Sequence, residues 1–97
     1  MDRNLFSVAH RDERIHVNLS VTLRVGGQGC MDVPASLLDL SERGAKVRAT
    51  VPLRLGQDVE VKVGSQDAEA RNYRVVWVRG DPMARQPAYD AGLKLCR

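Results

Sequence analysis

Residues 16–25 alternate in polarity without a break. Val17, Leu19, Val21, Leu23 and Val25 fall on one side; His16, Asn18, Ser20, Thr22 and Arg24 fall on the other. Successive side chains of a strand point to opposite faces, so a ten-residue run of period two predicts a long, half-buried β-strand. Gly26-Gly27-Gln28-Gly29 then interrupts the pattern as a turn, and residues 30–33 resume an extended run. Together these segments predict a β-hairpin.

The same reading extends along the chain. Val59-Glu60-Val61-Lys62-Val63 alternates between two turn-rich stretches, Leu55-Gly56-Gln57-Asp58 and Gly64-Ser65-Gln66-Asp67. Residues 73–78 mix β-branched and aromatic side chains, which suits a strand. Gly80-Asp81-Pro82 ends that run, and Tyr89 to Cys96 forms a last strand with Ala91, Leu93 and Leu95 on one side. Short strands separated by Gly, Pro and Asp turns predict a small barrel or sandwich. Two segments read both ways. Residues 4–10 fit one or two helical turns capped by Asn4, or an N-terminal arm. Residues 34–44, opening on Pro34 and closing on Gly44, fit a short helix or a strand running into a turn.

A chain of 97 residues is long enough for one domain and one core. With 43% hydrophobic and 28% charged residues its composition is globular, which excludes a disordered chain. No stretch reaches the length of a membrane helix, the N-terminus has no secretory apolar region, and a cytoplasmic protein is expected. Cys30 and Cys96 stand apart and are read as reduced thiols; with His10 and His16 they make no zinc-ligand spacing. Neither a metal nor any other cofactor is expected. The net charge is +3, and twelve of the fifteen cations are arginine. Guanidinium forks onto phosphate and stacks on flat rings, as lysine does not. Yet the charge is modest, and Phe6, Tyr73, Trp77 and Tyr89 are few for a base-stacking platform. That balance suits a small anionic ligand better than a nucleic-acid polymer.

Catalysis finds little support. Both histidines lie within the first sixteen residues and no nucleophile elbow is present. Gly26-Gly27-Gln28-Gly29 lacks the Gly-Lys-Ser/Thr of a phosphate loop. Two other stretches carry chemistry. His10-Arg11-Asp12-Glu13-Arg14 sets arginines directly before the long strand, where they can grip phosphate or stack on a base. Asp39-Leu40-Ser41-Glu42-Arg43-Gly44 sets a carboxylate, a hydroxyl and a glycine at i, i+2 and i+5. A carboxylate accepts from both the ring N–H and the amino group of guanine, and glycine admits close backbone approach. The alternative for Asp39 and Ser41 is that they shape a turn, and Gly44 suits either role. Arg14 equally fits a surface partner of Asp12 or Glu13. Trp77, beside Val75 and Val76, is read as barrel packing rather than as a stacking surface.

Asp39-x-Ser41-x-x-Gly44 resembles the (D/N)xSxxG motif of PilZ domains, bacterial receptors for cyclic di-GMP. The surroundings are similar too: an arginine-bearing arm before a long first strand, the motif one hairpin later, and strands resembling the family's later ones at Val75-Val76-Trp77 and Tyr89 to Leu95. The resemblance covers roughly residues 10–96. It implies an all-β fold, a six-stranded antiparallel β-barrel, with residues 1–9 as an arm or short helical turn and residues 10–97 as the barrel domain. It also favours strand-then-turn over helix for residues 34–44, and no helix is expected after the last strand.

The family's second motif, RxxxR, is altered here. Counting back from Arg14 places His10 at its first position, and Arg11 comes one residue late. A histidine is mostly uncharged at neutral pH. The resemblance therefore implies a cyclic di-GMP site of Arg14, Asp39, Ser41 and Gly44, with His10 as a substitution and Arg11 as a replacement. The implied function is a non-enzymatic receptor whose arm closes on the ligand and signals to a downstream protein. The alternative is a degenerate PilZ domain that binds no nucleotide and serves as a protein-interaction module. A barrel binding single-stranded nucleic acid ranks third, for want of aromatics and charge.

Overall fold

A computed structural model of the chain describes residues 15–26, 31–63, 70–80, 83, 85 and 88–96. The arm expected at residues 1–9, the motif residues His10, Arg11 and Arg14, and Cys30 lie outside these. Six strands follow one another: β1 (Ile15–Val25), β2 (Met31–Leu40), β3 (Gly44–Ala49), β4 (Asp58–Val63), β5 (Ala70–Gly80) and β6 (Tyr89–Leu95). All pairings are antiparallel, and the order β1-β2-β3-β6-β5-β4 closes into a barrel. The six-stranded all-β barrel expected from the sequence is the fold. Residues 34–44 are the end of β2 and a turn, not a helix. Pro34 sits where β2 is paired with β1 but not yet with β3, whose register begins at Ala35↔Ala49. Proline, lacking an N–H, is tolerated at such an edge.

The core consists of inward side chains from every strand. Val21, Leu23 and Val25 of β1 face Val33 and Leu37 of β2, Val47 of β3, Val59 and Val61 of β4, Tyr73 and Val75 of β5, and Leu93 of β6. β3 and β6 also turn the small Ala45, Ala49 and Ala91 inward, which leaves room for the Tyr73 ring. Leu53, on the segment after β3, is buried against the same cluster. One position of the alternating run differs from expectation: Leu19 is 38% exposed. β4 pairs with β1 from Val21↔Val63 onward, so among the described residues Leu19 stands at a part of β1 flanked by β2 alone.

Outside the barrel, charges meet across strands. Arg48 and Asp90 are register partners and share two contacts, Nε–Oδ1 at 2.7 Å and Nη2–Oδ2 at 3.1 Å. That hydrogen-bonded guanidinium holds the Asp90 carboxyl below its usual range. Arg24–Asp32 at 3.1 Å and Arg74–Asp58 at 3.2 Å repeat the arrangement on other strand pairs. Exposed pairs of this kind add about 0–1 kcal/mol each, so the barrel rests on its core.

Burial pushes the Tyr73 hydroxyl up to about 12, against a smaller opposing pull from Arg71. An unfolded tyrosine titrates near pH 10. Above that pH the unfolded chain releases a proton that the folded barrel retains. The stability is therefore intact below about pH 10 and is lost as pH rises toward 12, by roughly 2–3 kcal/mol. Urea midpoints at about pH 9 and about pH 11.5 should fall for the wild type more than for Tyr73→Phe. Equal falls in the two proteins would contradict this placement of the ring.

Candidate functional site

Strand β2 ends at Leu40 and β3 begins at Gly44, so Ser41, Glu42 and Arg43 make the connection. The Ser41 backbone N–H donates to the Gly44 carbonyl at 2.8 Å. The Ser41 hydroxyl oxygen accepts from the Gly44 N–H at 3.2 Å, and the hydroxyl donates to the Gly44 carbonyl at 3.4 Å. Ser41 is buried, so its hydroxyl replaces the water these backbone groups would otherwise need. Arg43 accepts at its carbonyl from the Leu95 N–H at 2.7 Å, which ties the turn to the end of β6.

Gly44 has a separate reason to be glycine. A Cβ there would collide with the Leu93 carbonyl oxygen and lie 3.6 Å from its carbonyl carbon. The neighbour is backbone, which cannot swing aside as a flexible side chain can. The close approach permitted by this glycine is therefore first of all that of β3 to β6.

Asp39 lies two residues before the turn and is 9% exposed. Its register partners are His16 on β1 and Lys46 on β3; Lys46 in turn faces Gly92 on β6, and Gly92 faces Trp77 on β5. Cross-strand partners share a face of the sheet, so these five residues form one row on the outside of the barrel. Four inter-strand steps of about 4.8 Å give the row roughly 19 Å along the curved sheet. A carboxylate stands near one end, an ammonium in the middle and an indole at the other end. The Trp77 ring lies directly on Gly92: a Cβ at Gly92 would collide with Nε1, Cε2 and Cδ1 of the indole. Trp77 is nevertheless 41% exposed. Covered beneath by Gly92, the ring keeps an open side toward solvent.

Here the structure corrects the sequence reading, which placed Trp77 in the barrel packing. Tyr73 and Val75 are inward, and strict alternation would send Trp77 inward as well. The register shifts between Val75 and Trp77, so one extra residue on β5 turns the indole out. Gly92 also escaped the sequence reading as a site residue. A glycine inside an alternating strand does flag close approach, and Gly92 is such a case. Of the residues singled out in the sequence, Asp39, Ser41 and Gly44 come together at the β2–β3 turn. Ile15, the first residue of β1, pairs with Leu40 beside that turn.

The turn should contribute to stability in the absence of any ligand. Gly44→Ala forces β3 from β6 and should cost about 1–3 kcal/mol, as overpacking does. Ser41→Ala loses the two side-chain hydrogen bonds of the turn and should cost about 1 kcal/mol. Thermal melts check both: a domain of this size loses about 4–8 °C per kcal/mol. A Gly44→Ala protein that melts with the wild type would contradict the assigned contact.

Among the described residues no helix is long and apolar enough to cross a membrane. Among curated proteins, no relative matches the chain. The PilZ domain family model matches residues 10–95, a span that includes all six strands. With a closed six-stranded barrel and the Asp39-x-Ser41-x-x-Gly44 turn at one end, the chain belongs to the PilZ domain family.

Proposed function

We propose that the chain is a non-enzymatic receptor for cyclic di-GMP, and that the row running from Asp39 to Trp77 is the face that receives it. PilZ domains are in general receptors for this ligand. The observation that carries the reading is the register: Asp39, Lys46 and Trp77 lie in line on one outer face, beside the Ser41–Gly44 turn. Asp39 would accept from a guanine N–H and amino group, and the Ser41 hydroxyl oxygen, with one lone pair left beside its bonds to Gly44, would accept from the base. The open side of the Trp77 ring suits stacking with a purine, and Lys46 adds a positive charge between the two ends.

The phosphates fall to the arginines. Arg14 directly precedes Ile15, which pairs with Leu40 beside the turn. Arg11 would add a second guanidinium, and His10 stands where the family has arginine. Closing of this arm over the ligand would reshape the surface read by a downstream protein. A cytoplasmic setting fits a receptor of this kind.

The test is isothermal titration with cyclic di-GMP, with GTP as the comparison nucleotide. The expected result is micromolar or tighter binding of the cyclic dinucleotide alone. Arg14→Ala should lose a charge-assisted contact of about 1.5–3 kcal/mol, roughly ten- to hundredfold in affinity. Asp39→Ala should weaken binding while the barrel stays folded. His10→Arg restores the family pattern and should tighten binding by about tenfold. Absence of heat with both the wild type and His10→Arg would favour the degenerate interaction module instead.

A further inference from the structure

Strand β5 runs past the strand that covers it. Its register with β4 ends at Asp58↔Arg74. Gly56 and Gln57 extend the pairing one step, donating to the Val75 carbonyl at 2.8 Å and accepting from the Val75 N–H at 2.9 Å. On the opposite side β5 stays paired with β6 as far as Gly80↔Tyr89. Residues 76–80 therefore have one edge on β6 and a second edge with no backbone partner among the described residues. Strand edges of this kind are ready templates for another strand, and are commonly blunted by lysine, proline or a covering element.

This edge is apolar instead. Val76, Trp77 and Val78 are 47%, 41% and 43% exposed, and Met83 beyond the strand is 89% exposed. Around them the exposed charges are mainly positive: Arg79 on β5, Arg85 after it, and Arg54 on the segment leading to Gly56. The carboxylates close by are largely engaged, Asp58 by Arg74 and Asp90 by Arg48, with Asp81 the one further acid between β5 and β6. An apolar strip inside a cationic rim selects an occupant that is extended, apolar and acidic. A second copy of this chain fits less well, because edge-to-edge pairing would bring Arg79 and its basic neighbours toward their own images.

We propose that residues 76–80 of β5 form a docking edge for an extended, acidic segment of a partner protein, which adds to the barrel as a further strand. The proposal does not rest on nucleotide binding: strand addition uses the backbone edge of β5 on its β4 side, whereas the ligand row uses the outward indole of Trp77 on Gly92.

Amide NMR spectra of the full chain test it with two five-residue probes, one alternating glutamate with valine and one alternating lysine with valine. The glutamate peptide should shift the amides of residues 76–80 saturably, and the lysine peptide should not. Val78→Glu should weaken the effect by about tenfold. N-methylation of alternate peptide nitrogens should abolish it, because strand addition needs those donors; this arm stands even if the variant fails to fold. Shifts centred elsewhere, no shifts, or equal binding by the lysine peptide would overturn the proposal. So would concentration-dependent shifts of the same amides without peptide, which would identify a second copy as the occupant. Preferential binding of this edge to vesicles of phosphatidylcholine and phosphatidylglycerol would overturn it in favour of a membrane surface.

Discussion

The approach of β3 to β6 at Gly44 is the contact on which the candidate site depends. With no Cβ between them, the Gly44 backbone lies against the Leu93 carbonyl, and the register from Gly44↔Lys94 to Ala49↔Tyr89 follows from that start. The register in turn sets Lys46 against Gly92 and Arg48 against Asp90. The same residue terminates the turn organised by the Ser41 hydroxyl. A packing requirement and a motif glycine are thus one residue, and the glycine of the motif has a physical explanation that involves no ligand.

Irregularities in the sheet build the outer face. The register shifts between Leu37 and Asp39 on β2 and between Val75 and Trp77 on β5. Leu37 and Val75 are fully inward, and unbroken alternation would carry Asp39 and Trp77 into the core with them. An extra residue on each strand, Leu38 and Val76, turns both side chains to the outside. A third shift on β1 falls between His16 and Leu19, next to the partner of Asp39. Carboxylate and indole therefore share one outward-facing row because two strands break their own pattern. Bulges that re-aim side chains are a recurrent feature of binding faces.

This also explains how far the sequence could be read. Alternation located β1, β4 and β6, since each buries one face and a slip would expose its whole apolar set; β5 was legible from its β-branched and aromatic composition. The strand at residues 34–40 was ambiguous locally, because Pro34 and the leucines after it fit either period, and resemblance resolved it. Asp39, Ser41 and Gly44 were legible as a motif, although the hydrogen bonds of Ser41 to Gly44 and the Leu93 contact were not. Trp77 was misread because a bulge is a property of two paired strands, and the extra residue leaves no mark on the strand that carries it. Gly92 joins the row only through its register partners, Lys46 and Trp77, which lie at distant positions in the chain.

Trp77 is the single tryptophan of the chain, so in a titration with nucleotide alone its fluorescence reports on the proposed ligand face. The most direct measurement is a titration of that emission with cyclic di-GMP, against GTP and with Asp39→Ala as the control protein. The account predicts a saturable change in intensity with the cyclic dinucleotide, absent with GTP and displaced to higher concentration by Asp39→Ala. Emission unchanged at saturating cyclic di-GMP would contradict the assignment of this row as the binding face.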